Sequence, residues 1–475
     1  MKTSLVLSIC TLLFIQMGNA QKKVDDVLKK LDEKAESYGA IAQSIWDLAE
    51  MGYQEEKSSA LLQQTLSDAG FSIKTGVAGI PTAFIAEYGA GAPVIGIMGE
   101  YDALPGLSQQ AVPEKMSAGK AAGHACGHHL FGTASTAAAI AVKDWMVANN
   151  TKGTIRFYGT PAEEGGSGKV YMVRAGLFDD VDVALHWHPG DENEANAGAA
   201  LANKSAKFRF YGVSAHAAGS PEKGRSALDG VEAMDMMVNM MREHIPQEAR
   251  IHYVITDGGK APNVVPDFAE VYYYARHNTR DVVISIFDRI VKAAEGAALG
   301  TGTTMDYEMI GGTHELLPNL TLQKAMYDNL TKVGGIEYTP EEKAFADKIA
   351  ISLGYKNADV AAAKKVQPYQ TEAKASGSTD VGDVSFTVPT VGMGAATWVP
   401  GTPAHSWQAV AAGGTSIGKK GMMVAAKTLT LTAIELFQNK ELVSKAKAEF
   451  LERRGADFKY VPLLGDRAPA LDYRM

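Results

Sequence analysis

Cysteine is almost missing from this chain: Cys10 and Cys126 are the two thiols in 475 residues. A disulfide framework is therefore excluded as the organising device. Long apolar runs are missing as well. The longest, Leu5–Ile15, is broken by Ser8 and Thr11 and is too short to span a bilayer, and no later segment approaches the ~20 apolar residues a spanning helix needs. Preceded by Lys2 and ended by Gly18-Asn19-Ala20, that run has the pattern of a secretory leader, residues 1–20, with cleavage after Ala20. It predicts an exported protein, periplasmic or secreted. An excess of positive charge is absent too: 54 acidic residues face 46 basic ones, a formal net charge of −8, and loss of Lys2 with the leader makes the balance more negative. Nucleic acid and anionic membrane surfaces are poor partners for such a chain. No internal repeat is present, and the length suggests two or more domains.

What is there is concentrated in Gly123–Gly132, GHACGHHLFG, where His124, Cys126, His128 and His129 stand close together. Thiolate and imidazole are the donors that borderline divalent metals prefer. The alternative is a histidine-rich surface loop with a buried cysteine. Removal of the leader takes Cys10 with it, so Cys126 stands alone, and a lone thiol in an oxidising compartment is a liability unless something protects it. Metal ligation does so.

Taken in order, residues 21–70 carry apolar residues at helical spacing, with Gly70 as a stop. FSIKTGV, TAFIAEYG and PVIGIMGEYD then read as strands, the last ending on Glu100 and Asp102. Functional groups in open α/β sheets gather at the carboxyl ends of strands, so Asp102 is a candidate to face a site, or else a turn cap. The cluster is followed by a small-residue helix. The strand TIRFYGT then runs into Pro161, Glu163 and Glu164. One of two adjacent carboxylates can bind a metal while the other accepts a proton; a solvated acidic turn is the bland reading. DVDVALHWHPGD places His186 and His188 two apart, on one side of a strand. His405 follows much later, in VPGTPAHSWQAV.

Between these elements, residues 203–312 change character. KFRFYGVSAHAAGSP, a helix, RIHYVITDGG, FAEVYYYARHN, a second helix and TTMDYEMI give the order β-α-β-β-α-β, a ferredoxin-like α+β pattern of the size of a separate domain. The Met234–Met241 stripe reads as core or interface packing. The chain is thus expected to be α/β, a metallopeptidase-like catalytic domain with a central mixed sheet formed by 21–202 and 313–438. The small domain is inserted into it, and a charged tail, 439–475, receives no function.

HACGH, then PAEE, a strand ending in WH, GVSAHAA and finally GTPAHSW, in that order, resemble the aminoacylase/carboxypeptidase G superfamily of metallo-amidohydrolases. Cysteine in place of the usual bridging aspartate resembles the branch containing hippurate and auxin–amino-acid hydrolases, and EMGYQEEKSSALLQQTLSDAGF and GEYDALPG match that branch as well. The likeness covers nearly the whole chain after residue 20. It implies two divalent metal ions, zinc or manganese with cobalt also compatible, ligated by Cys126, His128, Glu164, His188 and His405, Cys126 bridging. Counting from Asp182 selects His188 over His186 as the ligand. Glu163 would be the general base, Asp102 would orient a ligating imidazole, and His129, where the branch commonly has aspartate, would stand behind the ligands or face substrate. His216 would stabilise the oxyanion, reaching the site of a neighbouring subunit through a homodimer of inserted domains. Asn263 would contact the substrate carboxylate or the oxyanion, also across the dimer, and Arg276 would pair with the carboxylate, although His216 could instead cap a turn and Arg276 make a structural ion pair. A related second subunit is a further possible partner. The implied reaction is hydrolysis of the amide of an N-acyl or N-aroyl amino acid such as p-aminobenzoyl-glutamate. The alternatives are a dipeptidase, an amidohydrolase of other specificity, and a non-catalytic metal-stabilised subunit.

Overall fold

The computed structural model describes residues 24–196, 200–372 and 377–474; the expected leader, 1–20, lies outside them. A six-stranded mixed sheet forms the centre of the larger unit. In spatial order its strands are Ser72–Thr75, Phe84–Ala90, Gly153–Gly159, Val94–Gly99, Val183–Leu185 and Thr390–Val391. The first two and the Phe84–Ala90/Gly153–Gly159 pair run antiparallel, and the remaining pairs run parallel. Val94–Gly99 and Gly153–Gly159 are buried along almost their whole length, as parallel strands covered on both faces must be. One face carries the helices His128–Asn149 and Ser416–Gln438, which pack on each other, and the other carries Gly168–Arg174 and Val381–Ser385.

The small-residue run after the cluster is explained by that packing. A Cβ on Gly132 would lie 2.7 Å from the Glu100 carbonyl oxygen, so the helix can approach the strand end only without a side chain there. Alanines along the same helix keep it close to the sheet, and they are fully buried from Ala134 to Ala139.

The second unit lies between Ala202 and Thr313. Four antiparallel strands, in the order Arg250–Asp257, Phe268–His277, Ala202–Tyr211 and Thr304–Thr313, are covered on one face by the helices Ala227–Met241 and Arg280–Thr301. Strict alternation of buried and part-exposed residues along Phe268–His277 marks a sheet with one face in the core. This sheet has its own hydrophobic core around Phe208, Val231, Val271 and Ile290.

Two expectations change in detail. DVDVALHWHPGD is not one strand: Val183–Leu185 joins the central sheet, while His188–Gly190 pairs with Gly394–Ala396 in a separate ribbon. The C-terminal region, expected only as a charged tail, is folded onto the large unit. It forms the helix Lys440–Arg454 and then an extended segment that returns across the large unit, with Leu463 and Leu464 buried.

That segment closes over Asp383, which is fully buried and accepts hydrogen bonds from His314 N at 3.0 Å and Tyr460 Oη at 2.7 Å. Burial pushes its carboxyl up to about 7. The folded chain thus holds this proton more tightly than the unfolded one. The stabilisation is complete below the unfolded pKa of about 4 and is lost as pH rises to about 7. Asp383→Asn, which does not ionise, should gain about 4 kcal/mol relative to the wild type across that interval. Urea unfolding at pH 4 and pH 8 measures the difference; a gap that does not change with pH contradicts it.

Candidate metal centre

Five chain segments, one of them the ribbon strand that begins at His188, bring their donors to the carboxyl-terminal edge of the central sheet. Glu100 and Asp102 follow the strand Val94–Gly99. Cys126 and His128 sit at the start of the helix His128–Asn149, on either side of Gly127, whose φ of +76° makes the turn. A Cβ on Gly127 would be 2.5 Å from that of Pro189, so glycine also lets the cluster approach His188. Glu163 and Glu164 follow Gly153–Gly159 through a left-handed Ala162 (φ 56°). His405, itself left-handed at φ 58°, is held by its backbone N–H on the Ala125 carbonyl at 3.0 Å.

The side chains form three overlapping groups whose ligand atoms lie within 4.8 Å of one another: Cys126 with His128 and His188, Cys126 with Glu164 and His405, and Glu100 with His128 and Glu163. Cys126 belongs to two of them. Its Sγ is 3.4 Å from His188 Nε2, and Glu164 Oε1 is 3.2 Å from His405 Nε2. Both imidazoles of the first group have fixed tautomers. His128 Nδ1 donates to Asp102 Oδ1 at 2.8 Å and His188 Nδ1 to the Pro189 carbonyl at 2.7 Å, so each turns Nε2 toward the cluster. Asp102 does more than orient His128, because its other oxygen accepts the Glu164 backbone N–H at 2.9 Å.

This donor set fits a cation. His128 Nε2, Glu100 Oε2 and Glu164 Oε1 are buried and lack a hydrogen bond of acceptable geometry, even though His128 Nε2 and Glu100 Oε2 are 3.0 Å apart. Buried polar atoms left unpaired are rare and call for a partner. Burial pushes the Cys126 thiol well up, a state that a coordinating cation reverses. Burial pushes the Glu163 carboxyl up as well, reinforced by Glu100, Glu164 and Asp380. Burial also works against ionisation of Asp102 and Glu164, but His128 outweighs it at the first and the close approach of His405 at the second, and both stay below the usual carboxylate range. Behind the donors lies Lys169, fully buried, with Nζ 2.5 Å from Glu100 and 2.7 Å from Asp380. Burial alone would lower its pKa, but those two carboxylates hold it charged. A cavity of about 500 Å³ opens beside the cluster, lined by Glu100, Phe131, His186, His188, Glu192 and Glu194 among others.

Sequence reasoning passed over Glu100, Lys169 and Asp380. Glu100 was visible at its strand end, whereas Lys169 looks like part of a glycine-rich turn and meets Asp380 across 211 positions.

His186 lines the cavity with its Nε2 unpartnered but belongs to none of the three groups; burial, then His188, lowers its pKa to about 3. Of the two places expected for His129, behind the ligands or facing substrate, the second does not hold: it is 1 % exposed, its Nε2 meets the Gly413 carbonyl at 3.1 Å and its ring packs on His124. Adjacent residues on a helix diverge by about 100°, which separates it from His128. Among the described residues, no hydrogen bond or ion pair joins His216 or Asn263 to the donor cluster. Both are exposed and share a junction in which Ala217 N donates to the Asn263 carbonyl, and His216 Nδ1 accepts from the N–H groups of Ala218 and Gly219. Arg276 makes no ion pair among the described residues; it lies 5.1 Å over the Tyr274 ring, beside Asn203 and Arg250 on neighbouring strands.

Known proteins extend these observations. Over 465 residues the chain is 45 % identical to one of the subunits of the p-aminobenzoyl-glutamate hydrolase of Escherichia coli (strain K12), covering 91 % of this chain and 95 % of that one. It is 30 % identical to the Xaa-Arg dipeptidase of Mus musculus, over 89 % and 90 % of the two chains. The fold is shared with an aminobenzoyl-glutamate utilization protein from Klebsiella pneumoniae (TM-score 0.62, 19 % identity, 86 % and 97 % covered). It is also shared with a Bacillus subtilis protein described as a dinuclear metal-binding peptidase of the M20 family (TM-score 0.58, 18 % identity, 87 % and 99 % covered). The profile of peptidase family M20/M25/M40 matches residues 96–430, and with that match and the full-length relatives the chain belongs to this family.

Proposed function

We propose that this protein hydrolyses the amide bond of an N-acyl or N-aroyl amino acid, with p-aminobenzoyl-glutamate as the first substrate to test. The carrying observation is the Glu163 carboxyl, pushed up by burial, standing in one of three donor groups that are linked through Cys126 and through His128. Cys126, His128, Glu164, His188 and His405 would hold two divalent cations, Cys126 common to both; thiolate favours zinc, and manganese or cobalt also suit the mixed set. When bound, such ions supply Lewis-acid polarisation of the scissile carbonyl and acidify water.

The chain's own residues do the rest. Glu163 accepts the proton of the attacking water and then delivers it to the departing nitrogen, which leaves as an amine only once protonated. Asp102 keeps His128 in the ligating tautomer and fixes the Glu164 peptide. The cavity lined by Phe131, His186, Glu192 and Glu194 would receive one side of the substrate.

His216 supplies the donor to the oxyanion from a second copy, and Asn263 beside it reaches the substrate carboxylate, joined there by Arg276. In support, His216 accepts through Nδ1 and so carries its proton on Nε2, and it is exposed. The small unit also exposes Met236, Met240, Val254 and Leu299, which suits a homodimer contact. A related protein is an alternative partner, since the E. coli hydrolase has more than one kind of subunit and the chain is similar to another of them at 26 % identity. Dipeptide hydrolysis is the second reading, supported by the Xaa-Arg dipeptidase relative. A purely binding role has no use for Glu163. The pattern of residues 1–20 supports export.

Glu163→Gln should keep fold and metal while lowering turnover by about 10²–10⁴-fold; glutamate release near the wild-type rate would remove Glu163 as the base. Cys126→Ala should lose metal, because one donor of each ion disappears; elemental analysis that returns a full complement contradicts this. Mixed Glu163→Gln and His216→Ala homodimers should recover activity on subunit exchange. Verified exchange without recovery argues against donation between subunits.

A further inference from the structure

The loop that carries Glu163 and Glu164 is held in a conformation it would not adopt alone. Ala162 and Ser167, neither of them glycine, have φ of 56° and 60°, and Gly165 has φ 90°. Such a loop persists only where its surroundings over-determine it. On its inner side two carboxylates take its N–H groups: Glu55 accepts from Ala162 at 2.8 Å and Asp102 from Glu164 at 2.9 Å. On its outer side Tyr53 Oη donates to the Gly166 carbonyl at 2.6 Å. The Glu164 carbonyl is taken by two residues more than 300 positions away, Tyr473 Oη at 3.0 Å and Arg474 Nη2 at 2.9 Å.

From these contacts, and resting on the hydrolase reading above, we propose that Tyr473 and Arg474 are positioning residues of the active site. They hold the carbonyl of the Glu164–Gly165 peptide while Asp102 holds the N–H of the preceding Glu163–Glu164 peptide, so that Glu164 is fixed from both sides and its carboxylate is aimed at Cys126 and His405.

The chain makes room for this clamp. A Cβ on Gly52 would collide with the Tyr473 hydroxyl, and one on Gly166 would lie 3.2 Å from it. The Tyr473 ring packs edge-on against Tyr53, centroids 5.5 Å apart. The approach is also anchored along its length. Gln54 Nε2 donates to the Leu471 carbonyl at 2.9 Å, Tyr171 Oη to Ala468 at 3.3 Å, and Arg174 Nη1 to Gly465 and Arg467 at 3.1 and 2.9 Å.

The same segment touches the small unit where its last strand rejoins the large one. Arg467 donates to the carbonyls of Met309 and Ile310, and a Cβ on Gly312 would lie 2.7 Å from the Leu463 carbonyl carbon. One continuous strap therefore runs from the junction of the two units to a candidate ligand. It makes the carboxylate loop sensitive to where the small unit sits.

The test uses the full chain carrying Tyr473→Phe and Arg474→Ala together, with Tyr473→Phe alone as the milder variant should the pair fold poorly. Hydrogen exchange of peptides covering 162–168, read by mass spectrometry in metal-stripped protein, should be at least about tenfold faster in the variant, reflecting a lost local constraint. Zinc affinity, measured by chelator competition, and kcat should each fall about 10–100-fold, the range seen when a group supporting a ligand is removed, with KM unchanged. Arg474→Lys, which keeps a donor, should retain most of both. Tyr460→Phe, which loosens the strap far from Glu164, should lower the melting temperature without changing loop exchange or zinc affinity. A double variant that loses only melting temperature, with loop exchange and zinc affinity at wild-type values, overturns the proposal. Failure of the wild type to take up metal would sink the hydrolase reading instead, while loop exchange in the stripped protein still decides the strap.

Discussion

An unbalanced concentration of buried negative charge governs this site. Glu100, Asp102 and Asp380, all buried, and the half-buried Glu163 and Glu164 gather at and behind the Cys126 cluster, and the ammonium buried among them is that of Lys169. Carboxylates in a water-poor pocket repel one another and resist ionisation. Lys169 neutralises the rear of the cluster by bridging Glu100 and Asp380. The front, where Cys126, His128, Glu164, His188 and His405 meet, has only the imidazoles of His128 and His405 to balance its carboxylates, and divalent cations would supply what the donors there require.

The scaffold serves that requirement in layers. Parallel strands end at one edge, the small-residue helix presses His128 against them, and Asp102 links His128 to the Glu164 peptide. Glu55, buried and raised to about 8 by burial and then by Asp102, holds the turn before Glu163. The outer surface of that turn belongs to the C-terminal segment. The ligand-bearing loop is thus gripped from both sides, which is how a strained backbone keeps one geometry.

Much of this was legible early because ligands must be particular residue types at particular local spacings. HACGH, PAEE, WH and GTPAHSW announce themselves for that reason, and the β-α-β-β-α-β run does so through its change of apolar period. What stayed hidden was decided by direction and distance. His128 and His129 are neighbours in sequence, yet one turns to the strand ends and the other to Gly413. The strand expected through His186 and His188 breaks between them, and only the second joins a donor group. The C-terminal segment offered no motif, since its contacts are backbone carbonyls and a place left free by Gly52.

The sequence by itself determined the chemistry available: a lone thiol, histidines and paired carboxylates, an α/β framework, and the family to which these belong. Tertiary structure alone decided which donors share a centre, that Lys169 and Asp380 stand behind them, and that Tyr473 and Arg474 close on Glu164. The physical reason is that a donor's type is written at one position. Its aim and its charge environment depend on residues hundreds of positions away, brought near by packing that no local pattern records.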